Sequence, residues 1–157
     1  MVTVQLVHSS QKDTWKYVPE IEARIKTFCH EYESSMNPDF LNQWLRMSFI
    51  SSGPTAMVLV GLDEDECIVG HCVSLAEKWF GTNVISVVQL SVDPGTVLTK
   101  DEWAKGEMAL AAFAQYHQAT QIRVAARSRA AARFFTRRGF KEDKVLMTRP
   151  VEGNAGI

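Results

Sequence analysis

The segment Ser128-Arg-Ala-Ala131-Ala-Arg-Phe134-Phe135-Thr-Arg-Arg-Gly139-Phe140, preceded by the short apolar run Gln121-Ile-Arg-Val-Ala125, decides the fold. It reads as a strand, a three-turn amphipathic helix, a glycine stop and the approach to another strand. Ser128 is a good N-cap, because its hydroxyl can accept from an unpaired first-turn amide. Arg129, Arg133 and Arg137, four apart, form the solvated stripe of that helix, with Ala131 and Phe134 facing inward.

The rest of the chain extends this alternation of strand and helix. Thr3 to Val7 alternates and predicts a first strand, and Asp13 to Tyr17 a lead-in turn. Val18, Ile21, Ile25, Phe28, Cys29 and Tyr32 fall at helical spacing, with Pro19 in the first turn, where its missing N–H costs least. Asn37-Pro38 opens a second helix whose inner face is expected to be Phe40, Leu41, Trp44, Leu45 and Ser48. Ser51-Ser-Gly-Pro54 ends it. The apolar run Ala56–Leu62, the charged turn Asp63-Glu-Asp-Glu66 and the return Cys67–Leu75 read as a hairpin. Asn83–Val92 is a fourth strand, stopped by Asp93-Pro94-Gly95. A long helix follows from about Lys100 to His117, carrying Trp103, Met108, Leu110, Ala111 and Phe113. Its start, Thr99-Lys-Asp-Glu102, has the spacing of a capping box. Gln121–Ala125 is the fifth strand, and Val145–Arg149 is expected to close the sheet. The order β-α-α-β-β-β-α-β-α-β predicts a mixed, mostly antiparallel α/β sheet with helices on both faces. One domain over residues 1–150 with a flexible tail at 151–157 is expected.

With 157 residues, 46% of them hydrophobic, the chain can bury a core without staples. No apolar run approaches the ~18 residues of a membrane span, and the N-terminus lacks a signal peptide's basic and long apolar regions. Cys29, Cys67 and Cys72, odd in number and unpatterned, suit reduced thiols and a cytoplasmic location. Residues 1–98 hold 12 Asp/Glu against 6 Lys/Arg, and residues 99–157 hold 6 against 11. The basic half suits an anionic cofactor or an acidic partner. Aromatics scattered over many elements read as core or pocket lining, so a nucleic-acid surface is not expected. Cys67, His71 and Cys72 are close in sequence, but in a strand His71 and Cys72 point to opposite faces, so no metal site is expected.

The last helix resembles that of the GNAT superfamily, the acyl-CoA N-acyltransferases. There the pattern is Asn, Ala three residues on, an apolar-Tyr pair three and four later, and Gly-Phe after four more. Ser128, Ala131, Phe134, Phe135, Gly139 and Phe140 occupy those places here. The element order resembles that fold over almost the whole chain, and Leu90, Val92 and Pro94 match its fourth-strand Leu-x-Val-x-Pro spacing.

The resemblance implies acyl transfer from acetyl-CoA to a small-molecule or protein amine, with backbone amides of the fourth strand near Ser91 and Val92 as oxyanion donors. It places the cofactor against Leu90, Ser91, Val92, Lys105, Gly106, Ser128, Phe135 and Arg137. Three departures stand out. Read back from Gly106, the family's basic loop residue falls on Asp101 and a glycine on Ala104. Val88 and Gln89 stand where many members carry a carboxylate base, leaving Glu77 or His71 as substitutes. Phe135 replaces the frequent Tyr general acid, leaving Ser128 as its stand-in. The alternative reading is a catalytically inactive GNAT-fold binding or structural module with a protein partner, as occurs among phage proteins.

Overall fold

The computed structural model describes residues 1–32, 36–143 and 149. The sixth strand expected at 145–149, save Arg149, and the tail 151–157 lie outside the described residues. The chain divides into two compact units, Met1–Ala125 and Ala126–Ile157.

The first unit contains β1 (Thr3–Leu6), a 3₁₀ turn (Thr14–Tyr17), α1 (Val18–Tyr32), α2 (Pro38–Ile50), β2 (Ala56–Leu62), β3 (Ile68–Trp79), β4 (Thr82–Val92), α3 (Lys100–Tyr116) and β5 (Gln121–Val124). The strands form one sheet in the order β1-β2-β3-β4-β5. The first four are antiparallel neighbours and β5 runs parallel to β4. α3 is the crossover that a parallel pair requires.

Strand alternation divides the core between the two faces. On one face Ile21, Ile25 and Cys29 of α1 and Leu41, Leu45 and Phe49 of α2 meet Val58, Val60, Leu62, Val73 and Leu75. On the other, Phe113 of α3 with the partly buried Ala109, Leu110 and Ala114 covers Met57, Leu59, Cys72, Ile85 and Val87. The fold class is as expected, with helices on both faces of a mixed sheet.

Two details differ from the sequence reading. β3 runs four residues beyond Leu75, to Trp79, because the β3–β4 connection is a two-residue turn, Phe80-Gly81, with both φ angles positive (49° and 82°). In α2 the buried face is Leu41, Leu45, Ser48 and Phe49, while Phe40 is 63% exposed. A helix rotates about 100° per residue, so a stripe centred on Leu41 and Leu45 turns Phe40 outward.

The expected capping box at the start of α3 is formed. Thr99 Oγ1 accepts from the Glu102 amide (3.2 Å) and Glu102 Oε2 accepts from the Thr99 amide (2.7 Å). Glu102 Oε1 also accepts from the Val2 amide at 2.7 Å, joining the start of the chain to α3. Glu102 is 4% exposed, and these backbone donors, Val2 first, hold its carboxyl below the usual range.

One polar cluster lies under α1. His71 is 5% exposed and Gln89 1%. The His71 Nε2 and Gln89 Oε1 atoms are 3.0 Å apart, and Gln89 Nε2 donates to the Ile25 carbonyl and the Cys29 sulfur, each at 3.4 Å. His71 Nδ1 has no partner among the described residues. Burial lowers the His71 pKa, opposed by the Gln89 bond and aided by the nearby Arg24.

The second unit holds α4 (Arg129–Arg137). Ser128 Oγ accepts from the Ala131 amide at 3.1 Å. The C-terminus closes with the Phe140 amide on the Phe135 carbonyl and the Gly139 amide on that of Thr136, both at 3.1 Å. That is the Schellman pattern, and it requires the left-handed Gly139 (φ 87°). The Phe135 and Phe140 rings, 5.5 Å apart, make its accompanying apolar contact. The Phe135-Gly139-Phe140 spacing is therefore a helix stop.

Two outcomes are expected in denaturant titrations. Thr99→Ala should lower stability by about 1 kcal/mol, the usual loss for an N-cap hydroxyl. Below about pH 6.5 the unfolded chain binds a proton at His71 that the folded protein resists, so stability should fall as pH drops from there toward the lower folded-state value. His71→Asn should abolish that decline while leaving the carboxylate losses below about pH 4.5, where Glu102 protonates in the unfolded chain. An unchanged profile in His71→Asn would contradict the buried neutral assignment.

Candidate active site at the parting of two strands

The β3–β4 ladder pairs Ser74 with Val87 and Val73 with Gln89, leaving Val88 as an extra residue. This is a β-bulge, and it turns two consecutive residues to one face. Val88 packs against the α1/α2 core, and Gln89 reaches α1 on the same side. Past the bulge the ladder resumes with Cys72–Leu90, His71–Ser91 and Gly70–Val92.

β5 pairs with β4 only from Val84 to Val87. Among the described residues, Leu90 to Val92 have no strand along their outer edge. The Asp93 amide donates to the Val69 carbonyl at 2.8 Å, which sets the phase of the alternation. Ser91 therefore directs its backbone toward β3, and the amides of Leu90 and Val92 face the open side. The same phase brings the Ser91 carbonyl oxygen to 2.8 Å from where a Cβ on Gly70 would stand, so only glycine fits there.

The end of β4 is anchored. Asp93 to Thr96 form a turn closed by the Thr96 amide on the Asp93 carbonyl (3.0 Å), with Gly95 at φ 84°. Pro94 then Gly95 at the centre is the sequence of a type II turn. Arg24 of α1 donates to both Asp93 oxygens (2.8 and 2.9 Å) and to the Ile68 carbonyl. The hydrogen-bonded Arg24 guanidinium holds the Asp93 carboxyl below its usual range.

Glu77 lies on the α1/α2 face of β3, where Ser86 Oγ of β4 donates to its Oε2 at 2.5 Å. Ser86 pairs across the parallel ladder with Arg123 of β5. The Arg123 guanidinium lies 4.9 Å over the Trp79 ring, and its Nε and Nη2 donate to Gln121 Oε1 at 3.1 Å. Glu77, Ser86 and Arg123 are each half-buried. The sequence offers Glu77 as a candidate base; Ser86 and Arg123 come beside it only through the β3–β4 and β4–β5 registers.

The remaining predicted residues are spread out. His71, six residues from Glu77 along one strand and so roughly 20 Å away, is enclosed beneath α1. Lys105 is exposed on α3. Gly106 is in the second turn of that helix, so the loop preceding α3 ends at Thr99 and the glycine aligned with the loop is a helical residue. With Leu59, Cys72, Leu90 and Trp103 it lines an apolar cavity of about 70 Å³. Burial pushes the Cys72 thiol up to about 11. Among the described residues no group of three or more His, Cys, Asp or Glu could hold a metal ion, and no helix is long and apolar enough to cross a membrane. Ser128, Phe135 and Arg137 belong to the second unit, where Ser128 caps α4, Phe135 is half-buried and Arg137 is exposed.

No protein-family model matches the sequence, and no curated protein matches it. Solved structures do. An aminoglycoside acetyltransferase from an uncultured soil metagenomic sample superposes with a TM-score of 0.66 at 18% identity, over 97% of this chain and 99% of that one. An acetyltransferase from Trypanosoma brucei gives 0.64 at 12% identity, over 96% and 100%. A predicted acetyltransferase from Clostridium acetobutylicum, solved with acetyl-CoA, gives 0.68 at 11% identity, over 96% of both chains. Agreement over whole chains at such low identity is agreement of fold. The fold is that of the GNAT acetyltransferases.

Proposed function

We propose that the protein transfers an acetyl group from acetyl-CoA to an amine. The observation that carries this reading is the open edge of β4, where the Leu90 and Val92 amides face away from β3 and, among the described residues, meet no neighbouring strand, so that they can donate to an oxyanion. Preoriented backbone donors stabilise charge that develops during acyl transfer without reorganising. Acetyl-CoA would supply the activated acyl group and a thiol leaving group, and thiols of pKa near ~8.5 depart without strong acid assistance at neutral pH. That softens the loss of a phenol at Phe135.

Glu77 is the base in this reading. Its carboxylate is oriented by Ser86 on the strand that carries the bulge, two residues before Val88 and so about 7 Å along the strand. It takes the proton from the attacking amine, and half-exposure lets it pass that proton to water. His71, enclosed beneath α1, is not in position to do so.

The two halves of the cofactor fit unequally. The thioester end suits the open strand edge. The diphosphate end meets the first turn of α3, where Thr99 and Glu102 already engage first-turn groups and Asp101 adds a second carboxylate. Negative charge at a helix N-terminus repels a phosphate there. The same observation favours a second reading, a catalytically inactive binding or structural module with a protein partner.

Acetyl-CoA is expected to bind no tighter than about high micromolar by calorimetric titration. Sub-micromolar affinity would show that the capping box does not occupy the phosphate site. Glu77→Gln should lower kcat by about 10²- to 10⁴-fold with little change in melting temperature, as loss of a general base does. Unchanged turnover would remove Glu77 from the chemistry. Absence of both turnover and cofactor binding would favour the inactive module.

A further inference from the structure

We propose, resting on the transferase reading above, that the acceptor is an amine that also carries a carboxylate, an amino acid in the broad sense, with its ammonium toward Glu77 and its carboxylate toward Arg123. The two residues flank β4 on one face of the sheet. Alternation places Val73, Leu75, Glu77 and Trp79 on the α1/α2 face of β3, since Val73 and Leu75 are in that core and Cys72 and Ala76 in the opposite one. Ile122 and Val124 of β5 face α3, so Gln121 and Arg123 turn the other way, toward Trp79. Ser86 lies between Glu77 and Arg123, bonded to one and laddered to the other.

The Arg123 guanidinium is held by neutral groups. Arg24 pairs with Asp93 and Glu20, Arg46 with Glu22, and Lys16 with Glu66. Among the described residues, no carboxylate lies within ion-pair distance of Arg123; it bonds the neutral Gln121 amide and lies over the Trp79 ring. Stacking leaves the guanidinium edge-on to ligands; with its Nε and Nη2 on Gln121, the Nη1 end remains for a planar anion such as a carboxylate.

The spacing suits a bifunctional ligand. Glu77 and Arg123 stand on the two neighbours of β4, so their backbones are two strand spacings apart, roughly 10 Å. Both side chains are long; Glu77 bonds Ser86 and Arg123 lies over Trp79 on the same face, a separation that an ammonium and a carboxylate joined by a short carbon chain can span. Polycationic amines would satisfy Glu77 but leave Arg123 facing like charge.

The test uses the ω-amino acids from glycine to 6-aminohexanoate, each against its own carboxamide, with acetyl-CoA as donor. The acid of at least one pair should be acetylated about tenfold to a hundredfold more efficiently in kcat/KM than its amide, the usual worth of a charge-assisted contact. The preference should vanish in Arg123→Gln through KM and be partly kept in Arg123→Lys, with melting temperatures unchanged. Binding of the same pairs, followed by NMR without cofactor, reads recognition independently of turnover. Acids and amides acetylated or bound alike would overturn the proposal while leaving the transferase reading standing. Acids bound in preference by the wild type and not by Arg123→Gln, without turnover of any amine, would support the anion site and end the transferase reading. Binding of neither member of any pair overturns the proposal.

Discussion

One extra residue in β4 is the constraint on which the site depends. Val88 has no partner on β3, so the strand changes face at that point, and everything beyond it is set by that change. Gln89 turns inward to α1 when strict alternation from Val87 and Val88 would have sent it toward α3. The pairing with β5 stops at Val87, one residue before the bulge. A regular ladder would have continued into the neighbouring strand, and the Leu90 and Val92 amides would then be ordinary sheet donors. A bulge bends its strand and ends pairing locally, which is how backbone groups become available to a ligand.

The bulge is held from both sides. Beneath it, Gln89 ties β4 to the α1 backbone and to His71, a nearly water-free arrangement that disfavours a second positive charge close to Arg24. At the strand's end, Arg24 clamps Asp93 and Ile68 together, so α1 fixes the position of the last residues of β4 as well as the face of the sheet that it covers. A half-buried bidentate pair of this kind contributes by geometry as much as by energy, since a guanidinium fork accepts few orientations of a carboxylate.

The start of α3 resolves a competition between stability and anion binding. The unpaired amides of a helix N-terminus can be satisfied by its own side chains or by a bound phosphate. Here the side chains take that role, with Glu102 reaching back to Thr99 and across to Val2. The arrangement joins the start of the chain to the crossover helix, and it puts a negative charge at that helix's first turn. Among the described residues, the domain thus combines an uncovered strand edge with a self-satisfied helix end.

Much of the architecture was legible in the residues because it depends on short-range rules. The periods of Ile21-Ile25-Cys29 and Leu41-Leu45, the apolar run of β2, the Asn37-Pro38 and Thr99–Glu102 starts and the Pro94-Gly95 turn each follow from a few neighbouring side chains. The Phe135-Gly139-Phe140 stop is equally local. Phe40 was misplaced because the five candidates Phe40, Leu41, Trp44, Leu45 and Ser48 leave the stripe's centre undetermined until the sheet selects it. The site itself was less legible. Glu77 could be named as a carboxylate on a strand, but nothing local joins it to Ser86, nine residues on, or to Arg123 in another strand. Their proximity is a property of register, and register is fixed by which faces the helices bury. The bulge at Val88 is likewise invisible in an apolar run where any residue could be the unpaired one. Sequence by itself determined the elements and their order. Tertiary structure alone decided where β4 leaves β5, and so which backbone and side-chain groups converge there, because those depend on contacts between residues far apart in the chain.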